Sequence, residues 1–131
     1  MTLSAMAIPR LVSALERARY ARAVSEIRTL EAEIYLYQNS HDGQLPATLD
    51  DIGRGNLLDP WGTPYQYLDI SSVKGKGPLR KDRFLVPLNS DFDLYSMGKD
   101  KKSKPPLTAQ PSHDDIIRAN DGSYVGLASD Y

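Results

Sequence analysis

An α+β fold, with one long N-terminal helix packed on a small antiparallel β-sheet and a loop-rich C-terminal region, is what three features of the 131-residue chain predict. From Pro9 to Ser40 no glycine and no second proline interrupts a stretch rich in Ala, Leu, Arg and Glu, all strong helix formers. Beyond it, short runs alternate apolar and polar residues with the period of two that belongs to strands. Turn-forming Gly, Pro, Asn and Asp separate these runs, and three strands behind one helix make an antiparallel sheet. The chain reads as one domain over residues 1–131: a helical stem at 2–40, a connecting loop at 41–56, the sheet at 57–98, and a loop and C-terminal segment at 99–131.

The helix carries its own evidence. Ile8, Leu11, Val12, Leu15, Ala18, Ala21, Val24, Ile27, Leu30, Ile34 and Tyr37 recur in steps of three and four, which puts them on one stripe. Pro9 either opens the helix or kinks one already running in from Thr2, since it has no N–H for the preceding turn. His41-Asp42-Gly43 ends it, with Gly43 suited to a left-handed cap and Pro46 barring continuation. About 30 residues make a rod of roughly 45 Å, longer than the roughly 35 Å diameter of a compact chain this size. The helix is therefore expected to protrude. Arg17, Arg19 and Arg22 cluster early and Glu31 and Glu33 late, against the helix dipole, so some other constraint sets that placement. Taken singly, Glu26, Arg28 and Glu31 read as a solvated, mixed-sign face.

After the helix, Thr48 to Ile52 suggests one helical turn with Thr48 as its cap. Leu57-Leu-Asp-Pro-Trp-Gly-Thr-Pro-Tyr-Gln-Tyr-Leu combines a tight turn, the single tryptophan as cover for the helix stripe, and a strand alternating from Tyr65 to Ile70. Ser71 to Asp82 is a glycine-rich basic connection. Phe84–Leu88 and Phe92–Met97 read as further strands, with Asn89, Asp91 and Asp93 in the turn between them. Lys99 to Ser112 has almost nothing to bury and reads as an exposed loop. Asp114 to Arg118 reads as a short helix, Asn120-Asp-Gly as a turn, and Tyr124-Val-Gly-Leu as resumed structure.

Composition excludes several classes of function. An apolar fraction of 40% with 25% charged residues is that of a folding chain. A formal charge of -1 lacks the basic footprint of a nucleic-acid binder. With no cysteine there is no disulfide or thiolate site, and two histidines supply a zinc site poorly. No apolar run reaches the length of a membrane span. Thr2 to Ile8 reads either as a buried helix start or as the last turns of a longer apolar segment continuing upstream. Neither a nucleophile elbow, a phosphate loop, a dinucleotide fingerprint nor an H-E-x-x-H motif occurs, and His41 and His113 read as helix-terminal or loop histidines rather than catalytic ones.

The aspartates of the last third carry the one chemical hint. Asp100, Asp114 and Asp115 flank the lysine-rich loop, where a hard cation could draw carboxylate and carbonyl oxygens together and close it. Lys99, Lys101, Lys102 and Lys104 oppose such an ion electrostatically.

Taken together, Leu3-Ser-Ala-Met-Ala-Ile-Pro, Ala18-Arg-Tyr-Ala-Arg-Ala, Leu57-Leu-Asp-Pro-Trp-Gly-Thr-Pro-Tyr-Gln-Tyr and Asp93-Leu-Tyr-Ser-Met-Gly-Lys-Asp resemble the major pseudopilin of bacterial type II secretion systems, over most of residues 2–100. The resemblance implies a pilin-like fold and a structural, non-enzymatic filament subunit. On that resemblance the subunits would form a periplasmic pseudopilus that drives protein export across the outer membrane. It further implies a cleaved leader, a methylated N-terminus and an apolar anchor in the inner membrane ahead of Thr2. The chain given would then be the soluble periplasmic part, with Met1 supplied by truncation. Implied partners are further copies of itself, other pseudopilins and an inner-membrane assembly platform, with no nucleic acid. The resemblance also implies a calcium ion held by the Met97 carbonyl, Asp100 and Asp115, with Asp114 nearby. The sequence departs by placing His113 where an acidic residue is usual and by its longer basic loop. Ile116 to Leu127 extends past the shared motifs, and the resemblance assigns it no role. A type IV pilus subunit, lacking the usual cysteine pair, and a small hydrolase using His113 and Asp114 stand as the alternatives.

Overall fold

The computed structural model describes residues 2–72, 79–80, 88–106 and 114–131, with side chains along the first helix from Leu11 onward. Helix α1 runs unbroken from Thr2 to Ser40 and, at 39 residues, measures about 58 Å. Gly43 ends it in the left-handed conformation at φ +84°, its N–H reaching the Gln38 carbonyl at 2.9 Å. Four strands follow: β1 (Gln66–Asp69), β2 (Phe92–Ser96), β3 (Ile116–Ala119) and β4 (Tyr124–Leu127). They form one antiparallel sheet in the order β1-β2-β3-β4, with Tyr67 opposite Leu94, Tyr95 opposite Ile117 and Ile117 opposite Gly126.

Strand alternation divides the sheet into two faces. Phe92, Leu94 and Ile116 face α1 and join Ala23, Ile27, Leu30 and Ile34 in the main core, all at 1% exposure or less. Trp61, Tyr67, Val125 and Leu127 pack around its edge. Ile117 and Ala119 point the other way, into a second small core with Leu88 and Ala128. Both faces of β3 are thus covered, and all four of its residues are buried. By contrast Leu11, Val12 and Leu15 are 60%, 53% and 46% exposed, so only the second half of α1 is roofed by the sheet.

The late acidic residues of α1 are not a solvated face, contrary to the expectation for Glu26 and Glu31. Glu26 accepts a hydrogen bond from the Tyr65 hydroxyl at 2.9 Å. Glu33 takes both forks of Arg54, at 2.9 and 2.6 Å. Glu31 pairs with Arg118, whose side chain is completely buried. Arg118 also grips both oxygens of Asp91, at 2.8 and 2.9 Å, the Phe92 carbonyl at 3.0 Å and the Tyr35 hydroxyl at 2.6 Å. Its guanidinium stacks 3.9 Å from the Phe92 ring centroid. A charge in the core is tolerable only when paired and fully hydrogen-bonded, and here every donor position has an acceptor. Docking onto the body, rather than the helix dipole, accounts for these glutamates.

Two expectations need correcting. Asp114 to Arg118 is not a short helix: Ile116 to Ala119 form β3. A five-residue helix would have had little to bury, whereas adjacent isoleucines fill opposite faces of a strand covered on both sides. The sheet also extends past residue 98, drawing two of its four strands from the C-terminal segment. Asn120-Asp-Gly is the connection between them, with Asn120 and Asp121 at positive φ. The expected strand Phe84–Leu88, apart from Leu88, and the connection Ser71–Asp82, apart from Ser71, Ser72, Leu79 and Arg80, lie outside the described residues.

Candidate metal centre

The loop after β2 is shaped by Asp59. Buried at 2% exposure, its Oδ1 accepts from the Trp61 and Thr63 N–H groups at 3.0 and 2.9 Å. Its Oδ2 accepts from the Ser96 hydroxyl at 2.6 Å, and that hydroxyl oxygen accepts in turn from Gly98 N–H at 3.1 Å. The aspartate of Asp-Pro-Trp-Gly and the serine of Leu-Tyr-Ser-x-Gly therefore act on each other directly. Gly98 stands at φ +71°, and a Cβ there would lie 2.1 Å from the Asp114 carbonyl oxygen. Only glycine lets the two backbones approach so closely.

This approach gathers Asp100, Asp114 and Asp115, each offering a carboxylate oxygen within 4.8 Å of the others. Asp100 is exposed, Asp114 half-buried and Asp115 buried. Asp114 Oδ2 accepts from Asp100 N–H at 2.8 Å, and Asp100 Oδ1 from Lys102 N–H at 2.9 Å. Asp115 Oδ2 accepts from the Ser103 hydroxyl. The other oxygen of each buried acid, Asp114 Oδ1 and Asp115 Oδ1, has no hydrogen-bond partner among the described residues. Burial pushes the Asp115 carboxyl up to about 7, with Asp114 and Asp100 adding repulsion and the Ser103 bond and Arg80 opposing it. Burial likewise raises Asp114. Three clustered acids, two of them with an orphaned buried oxygen, are in deficit of positive charge. An all-oxygen donor set of this kind suits a hard cation of the calcium class rather than zinc or copper.

Met97, the remaining residue of the expected site, is half-buried in the turn ahead of Gly98. His113 lies outside the described residues, so a pairing with Asp114 has no geometry to judge. His41 sits just beyond α1, stacked 3.7 Å from Tyr37, with Nδ1 2.8 Å from the Tyr37 carbonyl oxygen. Sequence reasoning missed Ser103 and the Asp59–Ser96 link, although the serine of the second motif and the aspartate of the first were both in view.

A long helix half-roofed by an antiparallel meander, with an aspartate-lined loop after the second strand, defines the pilin-like class. Among known proteins, the chain is similar to the type II secretion system core protein G of Pseudomonas aeruginosa. The two are 28% identical over 120 residues, covering 76% of this chain and 73% of the relative. That match bears out the resemblance to the pseudopilin family. No family model and no solved structure matches the chain. Among the described residues no helix is long and apolar enough to cross a membrane.

Proposed function

We propose that the chain is the periplasmic part of a major pseudopilin, a structural subunit that polymerises with copies of itself and with other pseudopilins on an inner-membrane platform to drive protein export. The observation carrying this reading is the division of α1. One face of its second half, Ala23, Ile27, Leu30 and Ile34, is sealed under the sheet, while Leu11, Val12 and Leu15 stand exposed on the stem. Exposed apolar residues on a regular helix suit packing against neighbouring subunits. The carboxylate trio serves as a staple: Asp100, Asp114 and Asp115, with the Met97 carbonyl, would hold calcium. The ion would supply the charge that lets the loop lie against β3 without a larger core or a disulfide. The role is structural rather than enzymatic.

Ala18 is exposed on the stem and Val24 packs against the core. Ala18→Asp is expected to leave the melting temperature unchanged while abolishing secretion in a complementation assay, and Val24→Asp to lower both. Equal loss of stability at the two positions, or normal secretion with Ala18→Asp, would count against the reading.

A further inference from the structure

We propose that Arg80 is the positioning residue of the cation loop, acting through Ser103 on the Asp115 carboxylate; this rests on the calcium reading above. Arg80 is 6% exposed and anchored by its backbone. Its N–H donates to Asp93 Oδ2 at 2.9 Å, and its carbonyl accepts from Leu88 N–H at 3.0 Å. Its guanidinium lies 3.7 Å over the Tyr95 ring on the face of β2 turned away from α1, and Nη1 donates to the Lys104 carbonyl. The residue beside Lys104 is Ser103, whose hydroxyl donates to Asp115 Oδ2. A partly buried bridge thus runs from β2 through Arg80 to the loop backbone at Lys104, and by way of the neighbouring Ser103 to the carboxylate whose other oxygen has no partner among the described residues.

The bridge answers a problem set by the loop itself. Lys99, Lys101, Lys102 and Lys104 are exposed and of like charge, so their repulsion resists closure over a dication. A stacked guanidinium holding a backbone carbonyl fixes the loop without contributing a ligand. Groups that orient ligands in this way typically change metal affinity by 10- to 100-fold when removed. Lysine cannot substitute fully, because it lacks the planar face that stacks on Tyr95 while donating sideways. The guanidinium is also a positive charge near the trio, which makes the sign of the effect decisive. As a positioner its removal weakens calcium binding, and as a mere competing charge its removal strengthens it.

The experiment is calorimetric titration of calcium chloride into the wild-type protein and the Arg80→Gln, Arg80→Lys, Ser103→Ala and Arg80→Gln/Ser103→Ala variants, with a melt of each in chelator to establish folding. Arg80→Gln is expected to weaken binding roughly tenfold or more, with partial recovery in Arg80→Lys. The double variant is expected to be no weaker than the weaker single, because both act on one carboxylate. Unchanged or tighter binding in Arg80→Gln, or in Arg80→Lys should the former not fold, overturns the proposal. So does a double variant whose loss is the product of the singles. Absence of calcium binding in the wild type overturns the metal reading itself, and is distinguished from these because it needs no variant.

Discussion

Replacing Arg118 by Met tests the claim that a buried charge cluster, and not apolar contact alone, holds α1 to the sheet. Met fills much of the same space but removes every hydrogen bond that Arg118 makes to Asp91, Glu31, Tyr35 and the Phe92 carbonyl. The Asp91 side chain, 23% exposed, is left without its countercharge, and Glu31, 14% exposed, keeps only the longer pair with Arg28 at 3.4 Å. Breaking a buried pair from one side costs about 3–5 kcal/mol. For 131 residues that is a fall in melting temperature of roughly 10–18 °C. Thermal unfolding followed by circular dichroism at pH 7 measures it. Adding Asp91→Asn and Glu31→Gln should restore part of the loss, since the stranded charges go with them. A fall of less than about 1 kcal/mol, the size expected of an exposed pair, would refute the reasoning. The pH profile supplies a second check. Burial alone would raise the Asp91 carboxyl, but the Arg118 guanidinium and the Phe92 N–H outweigh it and hold the group below the usual carboxylate range. A depressed folded value means that this stability is complete above the ordinary carboxylate value and is lost as pH falls through the folded one. The wild type should therefore lose this contribution below about pH 4, and the Met variant should show no corresponding loss.

Calcium should raise the melting temperature of the wild type relative to chelator, by an amount that grows with calcium concentration; Asp115→Asn should abolish that shift, and no shift in the wild type would end the claim. Gly98→Ala forces a side chain into a left-handed position against the Asp114 backbone and is expected to cost about 1–3 kcal/mol, with loss of the calcium response, both visible in the same melts. Ser96→Ala strips Asp59 Oδ2 of its donor and should cost about 1–3 kcal/mol in a urea titration, whereas a serine merely facing solvent would cost nothing measurable.

The helix and the sheet's first two strands were legible because each repeats a simple signal: steps of three and four along α1, and alternation at Tyr65 to Ile70 and Phe92 to Met97. The turn at Asn120-Asp-Gly was legible for the same reason, since those residues tolerate positive φ. β3 was not, because Asp-Asp-Ile-Ile-Arg is too short to show a period. Its partners arrive from β2, some twenty residues earlier, and from β4 across the turn. Arg118 was invisible as a core residue because a charged side chain in a sequence carries no mark of the acids that will meet it. The aspartates of the metal centre were legible as a cluster flanking a loop. That two of them would end with unpartnered, buried oxygens was not, since it depends on the backbone approach at Gly98.

Three of the glutamates of α1, Glu26, Glu31 and Glu33, have a mechanical consequence. At about 100° per residue, Glu26 and Glu33 lie on one flank of the buried row and Glu31 on the other. They are tied respectively to Tyr65, Arg54 and Arg118. A helix held only by greasy contact could roll or slip by one residue at modest cost. Gripped from both flanks, α1 cannot turn about its axis or shift lengthwise without breaking these ties together. A push or twist applied to the bare stem therefore reaches the body as the motion of a single rigid piece.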